Sequence, residues 1–427
     1  MANSPVTAII VGAGHRAMAY ANYSLAHPDE LRIVGVAELD PYRRNMVREL
    51  FNFPEENCFE SADALAQVPK FADAVINGTM DDQHVETAIP LLRAGYDMLL
   101  EKPFAVNEEE LDSLMNVVNE NNSRVMICHV LRYNPVYSTI KESIANGEIG
   151  DIVNIQTIEN VSYHHLSTSF VRGKWGNSKK CHTSMLLAKC CHDLDLMIWL
   201  MGEDKPMSVS SVGSRFQFRK ENAPENSGER CLVDCDLKDS CLFSAKRLYL
   251  DHPNNWEVYI WRDIEHIKHP TYEDYKQSLI NSPFGRCIYK CDNDVIDHQS
   301  VLVNFASGAT GTHNLAGGSA ESLRTIRIIG TKGEIYGELE NKFVKIKVIN
   351  PTPTTYFDER VVDLSHTPDE GHGGADNRLT EDFIRFVRGD EPSLSCTDIR
   401  TSVAGHKIIF LADKSMAEGG RLMEIQN

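Results

Sequence analysis

Val6-Thr7-Ala8-Ile9-Ile10-Val11-Gly12-Ala13-Gly14-His15-Arg16-Ala17 decides the fold of the first third of the chain. Val6 to Val11 is apolar and β-branched, which reads as a buried strand. A G-x-G-x-x-A turn follows at once, and a helix-like stretch runs on through Ala26. Gly12 permits the tight turn. Gly14 lets the backbone approach a pyrophosphate, which would rest on the N–H groups opening the helix, so His15 and Arg16 join the candidate cofactor-binding residues. The small Ala17 allows close helix–strand packing. Leu31 to Ala37 is a second apolar strand and ends in Glu38, 24 residues after Gly14. An acid at that distance binds adenosine ribose hydroxyls. It would repel a 2'-phosphate, which favours NAD over NADP, although Arg43 and Arg44 weigh the other way.

Working outward, strands and helices keep alternating. Ala72 to Asn77 reads as a strand, Gln83 to Ala94 as a helix, Asp97 to Leu100 as a strand and Arg124 to Cys128 as another. Asn107 is placed to cap a helix whose first turn holds Glu108, Glu109 and Glu110, where negative charge suits the helix dipole. Such alternation implies a doubly wound parallel sheet, with ligands collecting at the C-terminal ends of its strands. Those ends carry Gly12, Glu38, Thr79 to Asp82, Glu101-Lys102-Pro103 and His129.

The composition limits the possibilities. The 427 residues include 43 Lys plus Arg and 61 Asp plus Glu, a formal charge of -18. A chain this acidic, with no basic run longer than Lys179-Lys180, lacks the basic face that nucleic acid requires. Its 42% hydrophobic content excludes a disordered chain, and its length suggests two domains. No apolar run approaches the ~20 residues of a membrane span. The first residues lack a basic segment followed by an apolar one, so the expectation is a cytoplasmic protein. Eleven cysteines in such a compartment read as thiols or metal ligands.

Glu101-Lys102-Pro103, directly after a strand in such a domain, resembles the Gfo/Idh/MocA oxidoreductases. The resemblance runs along the chain. Thr79 to His84 resembles that family's loop over the nicotinamide, and Arg132-Tyr133-Asn134-Pro135 its R-x-x-P segment. Asn146 to Gly150 resembles the turn into the second domain, and His192-Asp193-Leu194-Asp195 the H-x-x-D helix of the active site. Gly330 to Gly333 and His372 to Asp376 resemble later segments. The resemblance implies an NAD-binding Rossmann domain (residues 1–130) and an α+β domain (131–427) with a large, mostly antiparallel open sheet. It also implies a homo-oligomer. Strand-like runs after residue 150 agree: Ile152 to Ile158, Met207 to Val212, His298 to Phe305, Thr325 to Ile329 and Val344 to Val348. A cysteine-containing insertion is placed around residues 220–295.

Moving a hydride from an alcohol carbon requires a group to take the hydroxyl proton, and a donor for the developing oxyanion helps. By resemblance Lys102 contacts the reacting hydroxyl, and the cation of a nearby NAD+ would depress its pKa. His192, on a helix-like stretch from Leu186 to Met201, matches the family's catalytic histidine. Asp195 lies one turn on and could orient the imidazole. Many family members carry a carboxylate four residues before this histidine. Here Ala188 stands there and Lys189 follows, so Lys189 is a candidate to bind substrate or replace the proton relay. Thr79, His84, Glu101 and Lys102 are candidate cofactor contacts. Candidate substrate contacts are His129, Arg132, His165, Arg172, Trp175, Lys189 and His192, since aromatic faces stack on sugar C–H groups while Arg and His bond hydroxyls. Cys231, Cys235, Cys241, Cys287 and Cys291 could supply four thiolates to a structural zinc if their segments meet.

The expected activity is an NAD-dependent dehydrogenase acting on a carbohydrate-like small molecule, either a sugar, a sugar derivative or a cyclitol. A redox-neutral glycoside-cleaving enzyme is the alternative, oxidising a ring carbon transiently, eliminating the aglycone and re-reducing. A non-enzymatic NAD-binding regulator is disfavoured by the presence of Lys102 and His192.

Overall fold

The structure is a computed structural model that describes residues 4–254, 257–369 and 371–426. Val6–Val11 forms β1 and Leu31–Ala37 forms β2, both as read from the sequence. Cys58–Phe59 (β3), Ala74–Asn77 (β4), Asp97–Leu100 (β5) and Val125–Ile127 (β6) complete a six-stranded sheet. Its order is β3-β2-β1-β4-β5-β6 and its pairings are parallel. This is the doubly wound arrangement, whose strand order reverses beside β1 and opens a crevice there. Asn107 caps the helix Glu108–Glu120 as expected, its side chain accepting from the backbone N–H of Glu110.

A second sheet has nine strands. They are Ile152–Ser162 (β7), Pro206–Ser214 (β8), His298–Phe305 (β9), Thr310–Ser319 (β10), Leu323–Gly330 (β11), Gly333–Glu338 (β12), Phe343–Ile349 (β13), Phe357–Asp363 (β14) and Met423–Glu424 (β15). The order is β14-β13-β12-β11-β7-β10-β9-β8-β15, antiparallel except where β7 meets β10. One face packs on the helix Met185–Met201, and one apolar core runs from the first sheet through this helix into the second. The insertion carries a small core of its own, in which Tyr249, Ile260, Trp261 and Leu279 are buried.

The chain returns to the first sheet at its end. The backbone N–H of Ile127 donates to Thr397 O at 2.9 Å, and that of Phe104 to His406 Nε2 at 3.3 Å. Ile399, opening the helix Ile399–Ala417, is buried in the core of the first sheet.

Candidate active site

One cavity of about 1740 Å³ lies along the crevice between the two sheets. Gly12, Gly14, His15, Arg16, Glu38, Thr79, His84, Glu101 and Lys102 line it from the first domain, and His165, Trp175, Lys189 and His192 from the second. The turn after β1 is shaped for close approach. Gly12 has a φ of +76°, and a Cβ there would meet the backbone nitrogen of Thr79 at 2.9 Å. A Cβ on Gly14 would meet only Gly78 O, at 3.7 Å. Ala17 is fully buried, and a Cβ on Gly78 would lie 2.8 Å from its methyl, so helix and strand touch here as the sequence predicts. Glu38 accepts from the N–H of Ala13 at 2.6 Å, which sets its carboxylate beside the glycine turn. Both nearby arginines have partners within the protein. Arg43 forms a bidentate pair with Glu265, and Arg44 donates to Glu38 O. A bare glycine turn with an acid set beside it leaves room for the close approach of a dinucleotide.

His84 ties the neighbouring loop together. Its Nδ1 is 2.7 Å from Pro103 O and its Nε2 is 3.2 Å from Thr79 O. Glu101 is buried, accepting from Tyr20 and from the N–H of Lys102 and pairing with Arg16. Burial raises its pKa, but Arg16 and Lys102 outweigh that and hold the carboxyl below its ordinary value. Arg16 also pairs with Asp376 at 2.7 Å, which fastens the glycine turn to the segment His372–Asp376.

Lys102 reaches across the crevice and donates from Nζ to the main-chain oxygen of Ala188, at 2.9 Å. Burial disfavours the Lys102 charge, yet Cys191, Glu101 and Asp81 together hold its pKa above the ordinary lysine value. The expected depression therefore depends on the cationic nicotinamide, since the protein alone acts in the opposite direction. His192 is held well below the ordinary value of 6.5 by burial and by Lys102, so its imidazole is neutral at pH 7. Its Nδ1 is buried without a hydrogen-bond partner.

Four sequence-based assignments need correction. Asp195 does not orient His192: its carboxylate forms a bidentate pair with Arg132, at 2.8 and 2.6 Å. Arg132 is correspondingly buried and also donates to Cys396 O and to Thr401. It is a strut beneath the site, away from any substrate. His129 is fully buried, 3.7 Å from Asp195 and edge-on to the His192 ring at 5.6 Å, so it backs His192 and does not line the cavity. Arg172 lies at the cavity wall, but its guanidinium turns into the insertion, where it donates to Arg286 O, Phe243 O and the Tyr249 hydroxyl.

The zinc expectation is not supported. Cys231, Cys235, Cys241 and Cys287 line one small cavity in the insertion, but among the described residues no three of the five cysteines bring their sulfurs close enough to share an ion. The group of three donors found close together is Cys190, Asp193 and His313, with the Arg324 guanidinium 3.2 Å from Asp193.

Two site residues, Glu159 and Tyr259, escaped the sequence reading. Glu159 on β7 is buried, pairs with Lys189 at 3.2 Å and also with Arg324. Alternate burial of Ile155, Thr157, Glu159 and Val161 put a carboxylate on the inward face of a strand, and that was the available signal. Burial lowers the pKa of Lys189 against the opposing pull of Glu159. Trp175 stacks on Phe170 at 5.8 Å and donates to Asp81 at 2.6 Å. Tyr259, from the insertion, lies beside His15 and Trp175 with ring centres 6.3 and 6.4 Å away.

Comparison with known proteins adds to this geometry. A profile described as "Oxidoreductase family, NAD-binding Rossmann fold" matches residues 6–129. Its companion, "Oxidoreductase family, C-terminal alpha/beta domain", matches residues 141–424. A Bacillus subtilis protein named as an oxidoreductase, YteT, is 25% identical over 368 residues, 82% of each chain. An inositol 2-dehydrogenase of Rhizobium meliloti is 23% identical over 205 residues, 48% of this chain and 57% of that one. Among solved structures, levoglucosan dehydrogenase in complex with NADH and levoglucosan has a TM-score of 0.70 at 18% identity, covering 99% of this chain and 100% of the other. The WlbA dehydrogenase from Bordetella pertussis, in complex with NADH and UDP-GlcNAcA, has a TM-score of 0.67 at 17% identity, covering 100% and 99%.

Proposed function

The chain belongs to the Gfo/Idh/MocA oxidoreductase family, and from that premise we propose that it is an NAD-dependent dehydrogenase of a sugar, sugar derivative or cyclitol. The observation that carries this reading is the meeting of Lys102 and His192, from different domains, in the cavity lined by the glycine turn and Glu38. The relatives named for inositol and levoglucosan support the substrate class.

When bound, the nicotinamide accepts the hydride. The protein's own groups do the rest. Gly12, Gly14 and Glu38 hold the dinucleotide. Lys102, an ammonium, donates to the substrate oxygen and stabilises charge developing there. His192 is neutral and takes the hydroxyl proton. His165, neutral through burial, and Trp175 flank the substrate. Glu38, with Arg43 and Arg44 both committed, supports NAD over NADP.

A second reading rests on Lys189 and Glu159. This buried acid–base pair lies in the cavity and takes no part in hydride transfer. In a redox-neutral glycosidase it would take a proton from the carbon beside a transient ketone and return one to the leaving oxygen. The test is to follow NADH absorbance and substrate loss together, with NAD and a panel of free sugars, inositols and glycosides. Matched NADH and product support the dehydrogenase, whereas glycoside cleavage with only trace NADH supports the second reading.

We also infer a reducing, cytoplasmic setting from the eleven free thiols. A homo-oligomer built on the second sheet is supported by exposed Val153, Ile158, Val212, Leu302 and Val361.

A further inference from the structure

The cavity is larger than a dinucleotide and one sugar ring require. Its volume of about 1740 Å³ exceeds the roughly 300–1,000 Å³ of a pocket for a single small ligand. Beyond Lys102 and Trp175 it continues into the insertion, where Asn281, Ser282 and Phe284 line it. The charge of this arm is opposite to that of the chain. Its wall carries Lys174, Lys180, Arg230, Arg262 and Arg286, in a protein of formal charge -18. The carboxylates on the same wall are those of Asp263 and Asp292. Asp292 is shared by Lys180 and Arg286, and Asp263 accepts from the Ser278 hydroxyl at 2.8 Å. The Arg230 guanidinium donates to the carbonyl oxygens of Leu279 and Ser282, which leave its charge uncancelled. Lys174 stands where the arm leaves the meeting point of Lys102 and His192. Its Nζ is 4.1 Å from the centre of the Trp175 ring and 3.7 Å from Met80 Sδ. Among the described residues, neither Lys174 nor Arg262 has a carboxylate at ion-pair distance.

We propose that this arm is a subsite for an anionic group, a carboxylate, sulfate or phosphate, carried on a second ring of the substrate, so that the chain acts on acidic glycosides. The inference deepens the dehydrogenase reading and rests on the reaction centre proposed above. An anion is repelled over most of so acidic a protein. Unpaired cations in a cleft with low-dielectric walls reverse this locally and concentrate anions there. Arginine forks match the paired oxygens of a carboxylate, sulfate or phosphate, and the Lys174 ammonium meets them as a point charge. Binding at the remote ring would then hold the reacting ring in register with Lys102 and His192.

The test is the binding of matched disaccharides to the NADH-loaded full chain, read by the change in nucleotide fluorescence. The pairs are cellobiose and cellobiouronic acid, lactose and lactose 3'-sulfate, and maltose and maltose 6'-phosphate, which also separate the three kinds of anion. In at least one pair the charged member should bind about tenfold or more tightly than its neutral partner. Lys174→Gln and Arg262→Gln should each shrink that ratio about five- to tenfold, while Lys174→Arg keeps it. Added salt should shrink it as well. Melting curves check that each variant is folded. Equal or tighter binding of the neutral member in every pair, no binding in any pair, or a ratio that both Gln variants leave unchanged would overturn the anionic subsite. The dehydrogenase reading is judged separately, and falls if no free sugar, inositol or glycoside yields NADH.

Discussion

In the proposed reaction Lys102 and His192 divide the labour by their charge states. Lys102 is held protonated by acidic neighbours despite burial, while His192 is held neutral by burial and by Lys102 itself. An alcohol oxidation needs both states at once, a donor for the oxygen and a base for the proton. Lys102→Ala and His192→Ala should each lower turnover by about a hundredfold or more. Steady-state rates with the preferred substrate check this, and wild-type rates in both variants would remove the assignment. The depressed histidine pKa also sets the acid limb of kcat/KM. Because the base works in its neutral form and stays neutral to low pH, the limb should lie below pH 6.5. It should vanish from the residual activity of His192→Ala. At this scale the sequence was partly legible. Lys102 and His192 could be singled out because Glu101-Lys102-Pro103 and His192-Asp193-Leu194-Asp195 resemble family motifs, not because spacing or periodicity marks them. Arg132, Asp195 and Arg172 were misjudged because a charged side chain near a site reads the same in sequence whether it meets substrate or a buried partner.

The helix Met185–Met201 shows how elements bring the site together. Ser184 caps it, accepting from the N–H of Leu187. Its Ala188 carbonyl receives Lys102, its Lys189 meets Glu159 on β7, its Asp193 meets Arg324 on β11 and its Asp195 meets Arg132. The Arg132–Asp195 pair is buried on both sides, at 1% and 2% exposure. Removing one member leaves a buried charge without its partner, at a cost of roughly 3–5 kcal/mol. Arg132→Met should therefore lower unfolding stability by about that amount in urea titration, and a change under about 1 kcal/mol would show that the strut is unimportant. Elements with strong periodicity were readable: β1, β2, β5 and β9 have the expected bounds. Thr310–Ser319 was missed, since its Gly, Thr, Asn and Ser content carries little apolar alternation and its place between β7 and β9 is set by long-range pairing.

Across the whole molecule, buried neutral histidines make stability depend on pH. His129 and His313 are pushed down to about 4 by burial, against 6.5 in the unfolded chain. Their folded pKa values are depressed, so unfolding takes up protons as pH falls. The stability they protect is complete above pH 6.5 and is lost as pH falls from 6.5 toward 4, by up to about 1.4 kcal/mol per pH unit for each. Asp413, raised by burial to about 6, and Glu340, also raised by burial, act with the opposite sign. Urea midpoints should therefore fall steadily from pH 7 to pH 5, and a flat or rising trend would mean these histidines are already charged in the native state. The division into two sheets was visible from the change in strand pattern after residue 150. The return of the chain's last part to the first sheet was hidden, because nothing local marks a helix as belonging to a domain some 270 residues upstream. That return has a practical meaning for anyone cutting the gene. A fragment ending at Val130 would hold all six strands of the first sheet yet lack Thr397, Ile399 and His406, which close its far edge. The nucleotide-binding half is thus not a portable module, and swapping it between relatives would require grafting two separate stretches of sequence together.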